Sequence, residues 1–367
     1  MKNVLNYHEL IEREPIQVSL NQALGYLKGK RVLVTGAGGS IGSELCKQIV
    51  FSGASRLYLF GHGENSIYKI QQELLAINQR RMPYDEIIPV IGELQDAEYM
   101  VHIMHELKAD VVFHTAAHKH VPLTEANPVE AIKNNVFGTL NIVNACKLNG
   151  VEKFVLISTD KAVEPICVYG ASKRLAEEIV LRENNNKYLV VRFGNVLGSK
   201  GSVIPLFKKQ ILSGGPVTIT HPDISRYFIT IPEAVSLVLK IGGVGNGGAM
   251  YLLDMGSPIK IVDIANRLMS QLNKQVNIVY TGLRSGDKIS ESLCAENEIE
   301  KNTKYRGIIS IECLTKMTNL YKIIKRLYPI CYFDCDAFDS YRSREVLSDV
   351  LKETFETLKD VNYEEGY

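Results

Sequence analysis

The chain has no tryptophan and almost no net charge: 42 lysines and arginines against 41 acids leave +1. Proteins that grip nucleic acid or an anionic bilayer through their overall field need a basic excess, and this chain shows no such footprint. Long apolar runs are missing too. None reaches the length of a membrane span, and the N-terminal MKNVLNYHELIEREPIQ lacks the apolar centre of a secretion signal. Cysteine is sparse and unpatterned. The seven (Cys46, Cys146, Cys167, Cys294, Cys313, Cys331 and Cys335) are odd in number, scattered and include no Cys-x-x-Cys. That argues against a disulfide framework and fits a reducing cytoplasm. Cys331 and Cys335 have no His/Cys cluster nearby, so they read as ordinary thiols and no metal is expected. Low-complexity tracts and internal repeats are also absent.

What is present is a βα alternation in a chain of 367 residues, 46% of them apolar, enough for a sizeable core. Short strand-like runs stand at Arg31–Thr35, Leu57–Phe60, Ile87–Ile91, Val111–Thr115, Phe154–Ser158 and Leu189–Phe193. Helical patterns fill the gaps at Gly42–Phe51, Ser66–Asn78, Glu98–Leu107 and Val129–Leu148. Short β-branched strands between helices predict a parallel sheet covered on both faces. The fold class expected is α/β: a Rossmann-like doubly wound parallel sheet with a smaller C-terminal substrate-binding lobe. The expected organisation is an N-terminal arm over 1–30 and a dinucleotide-binding domain over 31–193. A substrate lobe over 194–330 is interleaved with the sheet through Met250–Met255, and a helical extension covers 331–367. The extension holds an acidic loop, CYFDCDAFDS, and an amphipathic helix, Glu345–Leu358, expected to pack on a neighbour or a second subunit.

Thr35-Gly-Ala-Gly-Gly-Ser-Ile-Gly42 follows the first strand and opens the first helix. Gly36, Gly39 and Gly42 hold the T-G-x-x-G-x-x-G positions, with Ser40 and Ile41 between them. Glycine allows a tight turn and a close approach of backbone to a pyrophosphate, and the helix N-terminus then faces the anion. Dinucleotide binding follows from this placement. An acid at the end of the second strand would take ribose hydroxyls and repel a 2′-phosphate. Here that strand ends Phe60-Gly61-His62-Gly63-Glu64. His62 suits a 2′-phosphate, so the sequence leans to NADP, with NAD open through Glu64. Glu93 and Leu94 end the third strand beside the adenine position, and Ala116 ends the fourth.

The chemistry concentrates in ISTDKAVEPICVYGASK, residues 157–173. Tyr169 and Lys173 are four apart at the start of a helix, so phenol and ammonium share one face. A cation beside a tyrosine favours phenolate and makes a usable base. Thr159, Asp160 and Lys161 lie just upstream, which is the density of ionisable groups a multistep site needs.

Several stretches together resemble the extended short-chain dehydrogenase/reductase superfamily. They are TGAGGSIG, HTAAHKHVPLTEANP (114–128), NNVFGTLN (134–141), STDKA with YGASK, and RFGNVLGSKGSVIP (192–205). STDKA is similar to the UDP-N-acetylglucosamine 4,6-dehydratases of the polysaccharide-biosynthesis branch, over about residues 25–295. Residues 1–30 resemble the linker preceding the catalytic half of membrane-anchored members. The resemblance implies C4 oxidation by Tyr169 with Lys173, C5 deprotonation by Lys161, protonation of the leaving 6-hydroxyl by Asp160, and Thr159 on the 4-oxygen. It implies a tightly bound NADP or NAD regenerated each turnover, and a lysine whose pKa falls beside a positive nicotinamide. Close members often carry methionine at position 169, and this chain keeps tyrosine. Asn135 is implied to support the lysine. No histidine of 114, 118 or 120 is read as catalytic.

For the UDP-sugar, the resemblance implies contacts from Lys119, Asn195, Ser202, Val203, Pro205, Arg226, Arg284 and Asp287. Arg226 and Arg284 are fork-shaped cations suited to phosphate. Ser285 and Asp287 depart from the family's Pro and Glu. A UDP-N-acetylhexosamine 4-epimerase, a dehydratase that also inverts C5, and a regulator on an inactive fold stay as alternatives. Asp160 and Lys161 argue against the epimerase. A homo-oligomer with a two-fold interface through 129–148 and 172–182 is a family-level expectation.

Overall fold

Each short apolar run becomes a strand, and helices fill the gaps between them. The structure, a computed structural model, describes residues 5–14, 16, 24–78, 81–183 and 187–358. Six parallel strands form its first half: β1 (Arg31–Thr35), β2 (Arg56–Gly61), β3 (Ile87–Ile91), β4 (Val111–His114), β5 (Lys153–Thr159) and β6 (Tyr188–Phe193). Three more join from the second half: β7 (Met250–Leu253), β8 (Glu298–Asn302) and β9 (Ile308–Cys313). The sheet order is β8-β9-β7-β6-β5-β4-β1-β2-β3. β7 is parallel to β6, β9 antiparallel to β7, and β8 antiparallel to β9. Strands β4, β6 and β7 are buried along their whole length, as a sheet covered on both faces requires. The order reverses between β1 and β4, which opens a crevice beyond their carboxyl ends.

The helices are α1 (Tyr7–Ile11), α2 (Ser40–Ile49), α3 (Glu64–Ile77), α4 (Ala97–Leu107), α5 (Val121–Ala126), α6 (Pro128–Ile132), α7 (Gly138–Leu148) and α8 (Val168–Arg182). They continue with α9 (Val203–Leu212), α10 (Ile231–Val244), α11 (Ile261–Leu272), α12 (Leu320–Cys331) and α13 (Arg344–Thr354). The single helix expected over 129–148 is α6 and α7 joined by a π turn, Lys133–Phe137. That widened turn carries Asn135 inward, as such turns do at functional sites.

The second lobe has its own core, in which Phe207, Ile211, Ile219, Phe228, Ile264 and Leu268 are buried together. Its sheets are two-stranded pairs such as Asn195–Leu197 with Phe228–Thr230. The first described part of the N-terminal arm docks on this lobe, while Leu24 and Leu27 join the main core. Leu10 and Ile11 enter its core, and Arg13 pairs with Glu233 at 2.6 Å. Residues 1–4, 15 and 17–23 of the arm, and 359–367 of the extension, lie outside the described residues.

The C-terminal helices take the first of their two expected partners, a neighbour. They pack on their own chain. Ile323, Leu327, Ile330, Leu347, Val350 and Leu351 join the main core. Arg342 pairs with Glu130 of α6, Arg344 donates to the Ala126 carbonyl, and Thr357 donates to the Pro165 carbonyl. Phe137 lies edge-on to Tyr328 and Tyr332. Helices α12 and α13 both pack against α6, and α12 also against α8. Helix α8 is buried nearly throughout within one chain.

A buried ion cluster fastens α8 to the sheet's far edge. Arg192 of β6, fully buried, donates to Glu177 of α8 at 2.7 Å and to Glu298 of β8 at 2.7 Å. Ser158 of β5 donates to Glu177 at 2.6 Å, and Arg174 to Glu298 at 2.6 Å.

Candidate active site

The glycine turn leaves β1 and enters α2. Gly36 has φ +67°, and a Cβ there would stand 2.8 Å from the Ala116 backbone. A Cβ on Gly42 would stand 2.3 Å from the Gly36 carbonyl oxygen. Only hydrogen fits at either position, so turn, helix and β4 close to backbone contact. Gly39 caps α2 without a side chain, which leaves the first N–H groups of the helix facing the crevice. This cradle fits a dinucleotide pyrophosphate.

Beyond it lies a cleft of about 1060 Å³ between the strand ends and the second lobe. Gly39, Ser40, Ile41 and Gly42 line one end. Thr159, Lys161, Tyr169 and Lys173 line the middle. Lys119, Asn195, Ser202, Val203, Arg226, Arg284 and Asp287 line the rest. His62 and Glu93 do not reach this lining. They stand exposed beyond β2 and β3, with Nδ1 3.9 Å from the carboxylate. Leu94 is buried beneath α7, Ala116 lies under the turn, and Pro205 sits in the first turn of α9. Asp160 is fully buried just behind Thr159 and Lys161.

Tyr169 and Lys173 project from the first turns of α8, one turn apart. Lys173 donates to the Ile157 carbonyl at 2.7 Å. Burial brings its ammonium down to about 8. Asn135 supports this helix differently from what the resemblance implies. Its amide donates to Ser172 Oγ at 2.9 Å and to the His118 carbonyl at 2.9 Å, rather than bonding the lysine. His114 is a packed core residue. Its ring contacts Thr35 Oγ1 at 2.7 Å and Thr139 Oγ1 at 3.1 Å, and burial pushes it down to about 3.

One expectation about charge is corrected here. Burial pushes Tyr169 up to about 12, and the groups lowering it are Lys161 and the Thr159 hydroxyl rather than Lys173. Among the protein's own groups, Lys161 is raised. Burial works against its ammonium, but Asp160 and Glu291 outweigh burial and hold it above the ordinary lysine range. Its Nζ lies 3.3 Å from Asp160 Oδ1 and 3.0 Å from Glu291 Oε1. The other Asp160 oxygen, Oδ2, is buried with no hydrogen-bond partner. It faces Gly194, where a Cβ would come within 2.8 Å of it.

Arg226 is corrected too. Its fork is committed to backbone: NH1 donates to the Ser225 carbonyl at 2.7 Å and to the Ile289 carbonyl at 3.1 Å, and NH2 to the Lys288 carbonyl at 2.7 Å. It braces the 288–291 segment. Arg284 keeps the free fork. Its side chain is 62% exposed, with Asp287 at 3.2 Å.

Three residues escaped the sequence reading. Glu291 is the largest omission, and its signal is an acid inside the otherwise apolar-flanked ISESL. Lys200 donates its backbone N–H to Ser40 Oγ and its ammonium to the Gly38 carbonyl, both at 2.9 Å, tying the lobe to the glycine turn. Glu125 accepts from the Val168 N–H at 2.7 Å at the start of α8, and burial raises it to about 7.

The parallel sheet, glycine turn and Tyr-x-x-x-Lys helix define a member of the extended short-chain dehydrogenase/reductase superfamily. Within it, the chain belongs to the polysaccharide biosynthesis protein family, whose pattern matches residues 32–313. Capsular polysaccharide biosynthesis protein CapD of Staphylococcus aureus is 50% identical over 82% of this chain and 51% of its own length. The chain thus spans about half the length of that relative. A UDP-N-acetylglucosamine 4,6-dehydratase (inverting) of Campylobacter jejuni is 31% identical, over 79% of this chain and 85% of its own. A UDP-glucose 4-epimerase of Rickettsia rickettsii is 34% identical, over 77% and 82%. Among solved structures, Pen from Bacillus thuringiensis superposes with a TM-score of 0.70 at 28% identity, covering 80% of this chain and 90% of its own.

Proposed function

We propose that this chain is a nucleotide-sugar 4,6-dehydratase that converts UDP-N-acetylglucosamine to a UDP-4-keto-6-deoxy-N-acetylhexosamine. The observation that carries the reading is the Asp160–Lys161 ion pair, 3.3 Å apart, beside Tyr169 at the cleft. A nicotinamide dinucleotide, NADP or NAD, held on the glycine turn would supply the hydride acceptor for sugar C4 and the donor for C6.

Tyr169 takes the proton of the 4-hydroxyl, and Lys161 and Thr159 favour its phenolate against burial. Thr159 holds the 4-oxygen. The 4-ketone acidifies the proton on C5. Moving the Lys161 proton onto Asp160 turns the ion pair into a neutral amine and a carboxylic acid. The amine takes the C5 proton, the acid protonates the departing 6-hydroxyl, and loss of water restores the pair. Protons and charge balance within these two residues through the elimination; as hydride would return to C6, Lys161 gives a proton to C5, and the proton that Tyr169 took from the 4-hydroxyl restores the ammonium. Asp160 Oδ2, without a partner, is the oxygen free to carry the proton. Arg284 receives the diphosphate, and Lys119, Asn195, Ser202, Val203 and Asp287 border the sugar and nucleoside.

The 34% identity to a protein named UDP-glucose 4-epimerase favours a second reading, 4-epimerisation. That reaction leaves Asp160–Lys161 without an elimination to perform. The test is incubation with UDP-N-acetylglucosamine, followed by NMR. A new 6-methyl signal with loss of the 6-hydroxymethyl supports dehydration. A galacto-configured product with C6 intact sinks it. Deuterium incorporation at C5 and the ring coupling constants separate retention from inversion there.

A further inference from the structure

Glu291 stands where nothing in the proposed reaction uses it. It is 5% exposed, yet its Oε1 lies 3.0 Å from Lys161 Nζ and 3.7 Å from Arg226 Nε. Its Oε2 is buried without a hydrogen-bond partner, 3.9 Å from Lys288 Nζ. A carboxylate is not placed among cations at this depth without consequence for them, because burial strengthens every pairwise charge. The brace around it is specific. Arg226 holds the Lys288 and Ile289 carbonyls, and Lys288 donates to the Val163 carbonyl at 2.8 Å, two residues beyond Lys161. The segment carrying Glu291 is thus braced by Arg226 on one side and tied to the segment carrying Lys161 through Lys288 on the other.

We propose that Glu291 is a positioning residue for Lys161: its carboxylate fixes the ammonium at the cleft and sets the pH at which Lys161 becomes a free amine. The inference rests on the dehydratase reading only for the name of the step that Lys161 performs. Lys161 is faced by Asp160 from its own turn, by Glu291 and Arg226 from the second lobe, and by Tyr169 and Cys167 at the start of α8. Asp160 and Glu291 both favour the ammonium, and Arg226 opposes it. Asp160 is the exchange partner in the reaction. Glu291 is the fixed counter-charge. It keeps the ammonium as the resting form and favours Lys161 as the acceptor of the C5 proton.

The test measures Lys161 itself. Purified protein is pulsed with an amine-acylating reagent across a pH series, and modification of Lys161 is read by peptide mass spectrometry. Glu291→Gln removes the charge at constant shape and lowers the labelling midpoint by about 1 pH unit or more, the size expected for an opposite charge at this distance. Glu291→Asp retains the charge and keeps the midpoint near wild type. Lys288→Met removes the cation on the far side of Glu291 and moves the midpoint upward, which tests the proposal even if the glutamine variant folds poorly. The descending limb of kcat against pH, where the pair loses the proton that Asp160 must deliver, shifts with the labelling midpoint in each variant. A midpoint unchanged in Glu291→Gln and in Lys288→Met overturns the proposal. A wild-type protein that forms no 6-deoxy sugar overturns the dehydratase reading, while the shifted midpoint still supports the positioning role.

Discussion

Replacing Arg192 with methionine probes how the catalytic helix is held. The guanidinium is fully buried between Glu177 and Glu298, whose carboxylates are themselves fully buried. Breaking a buried pair by removing one partner costs about 3–5 kcal/mol, because it strands the remaining charge. Here each acid keeps a second contact: Ser158 at 2.6 Å for Glu177, and Arg174 at 2.6 Å for Glu298. The expected loss is therefore about 3 kcal/mol, the lower end of that range. At about 2.1 cal/mol/K per residue, 367 residues unfold with about 0.8 kcal/mol/K, so Tm falls by about 4 °C. The acid dependence follows from Glu298. Burial raises this group, but the Arg192 hydrogen bond and charge outweigh burial and hold it down to about 2. A depressed carboxylate adds stability above its unfolded value, and that stability is lost as pH falls from about 4.5 toward about 2. The variant lacks this contribution, so the gap in Tm is widest at neutral pH and closes on acidification. Differential scanning calorimetry across that range is the assay. A Tm change below about 1 °C, or a gap constant with pH, refutes the argument that Arg192 carries these two acids.

Three further outcomes test the site. Lys161→Ala leaves C4 oxidation detectable as absorbance of reduced nicotinamide, but slows 6-deoxy product formation by about 10²–10⁴-fold; full turnover removes Lys161 from the base role. Gly36→Ala places a Cβ 2.8 Å from the Ala116 backbone at φ +67° and abolishes dinucleotide binding, measured by fluorescence titration of the reduced cofactor, while circular dichroism stays unchanged. Lys173 is a cation below about 8 and a neutral amine above it, so an oxidation step that depends on its charge weakens as pH rises through that value, and Lys173→Met flattens the profile.

Much of the fold was legible because its determinants are local. Each strand of the first half is a short apolar run of the right length, and TGAGGSIG marks one turn with glycines that the backbone contacts at Gly36 and Gly42 require. What escaped was set by partners distant in sequence. β8 and β9 pair antiparallel at the sheet edge, and half of β8 is charged, EIEKN, so no apolar run announces it. Helix α12 carries Pro329 in its last turn, which reads as a break, yet the residues before it are amphipathic enough to bury Leu320, Ile323 and Leu327.

The same division runs through the site. Tyr169 and Lys173 were found from spacing alone, because four residues on a helix fix a shared face. The cation that acts on Tyr169 was misassigned for a reason spacing cannot supply. Lys161 comes from the turn after β5, and only folding swings that turn against α8. Its ammonium is held by Glu291, 130 positions away in the chain. Sequence therefore exposed which groups carry the chemistry, while their protonation states were decided by contacts between lobes. That is where the dehydratase reading is most open to experiment, since an acid and a base of fixed identity perform elimination only in the right tautomer.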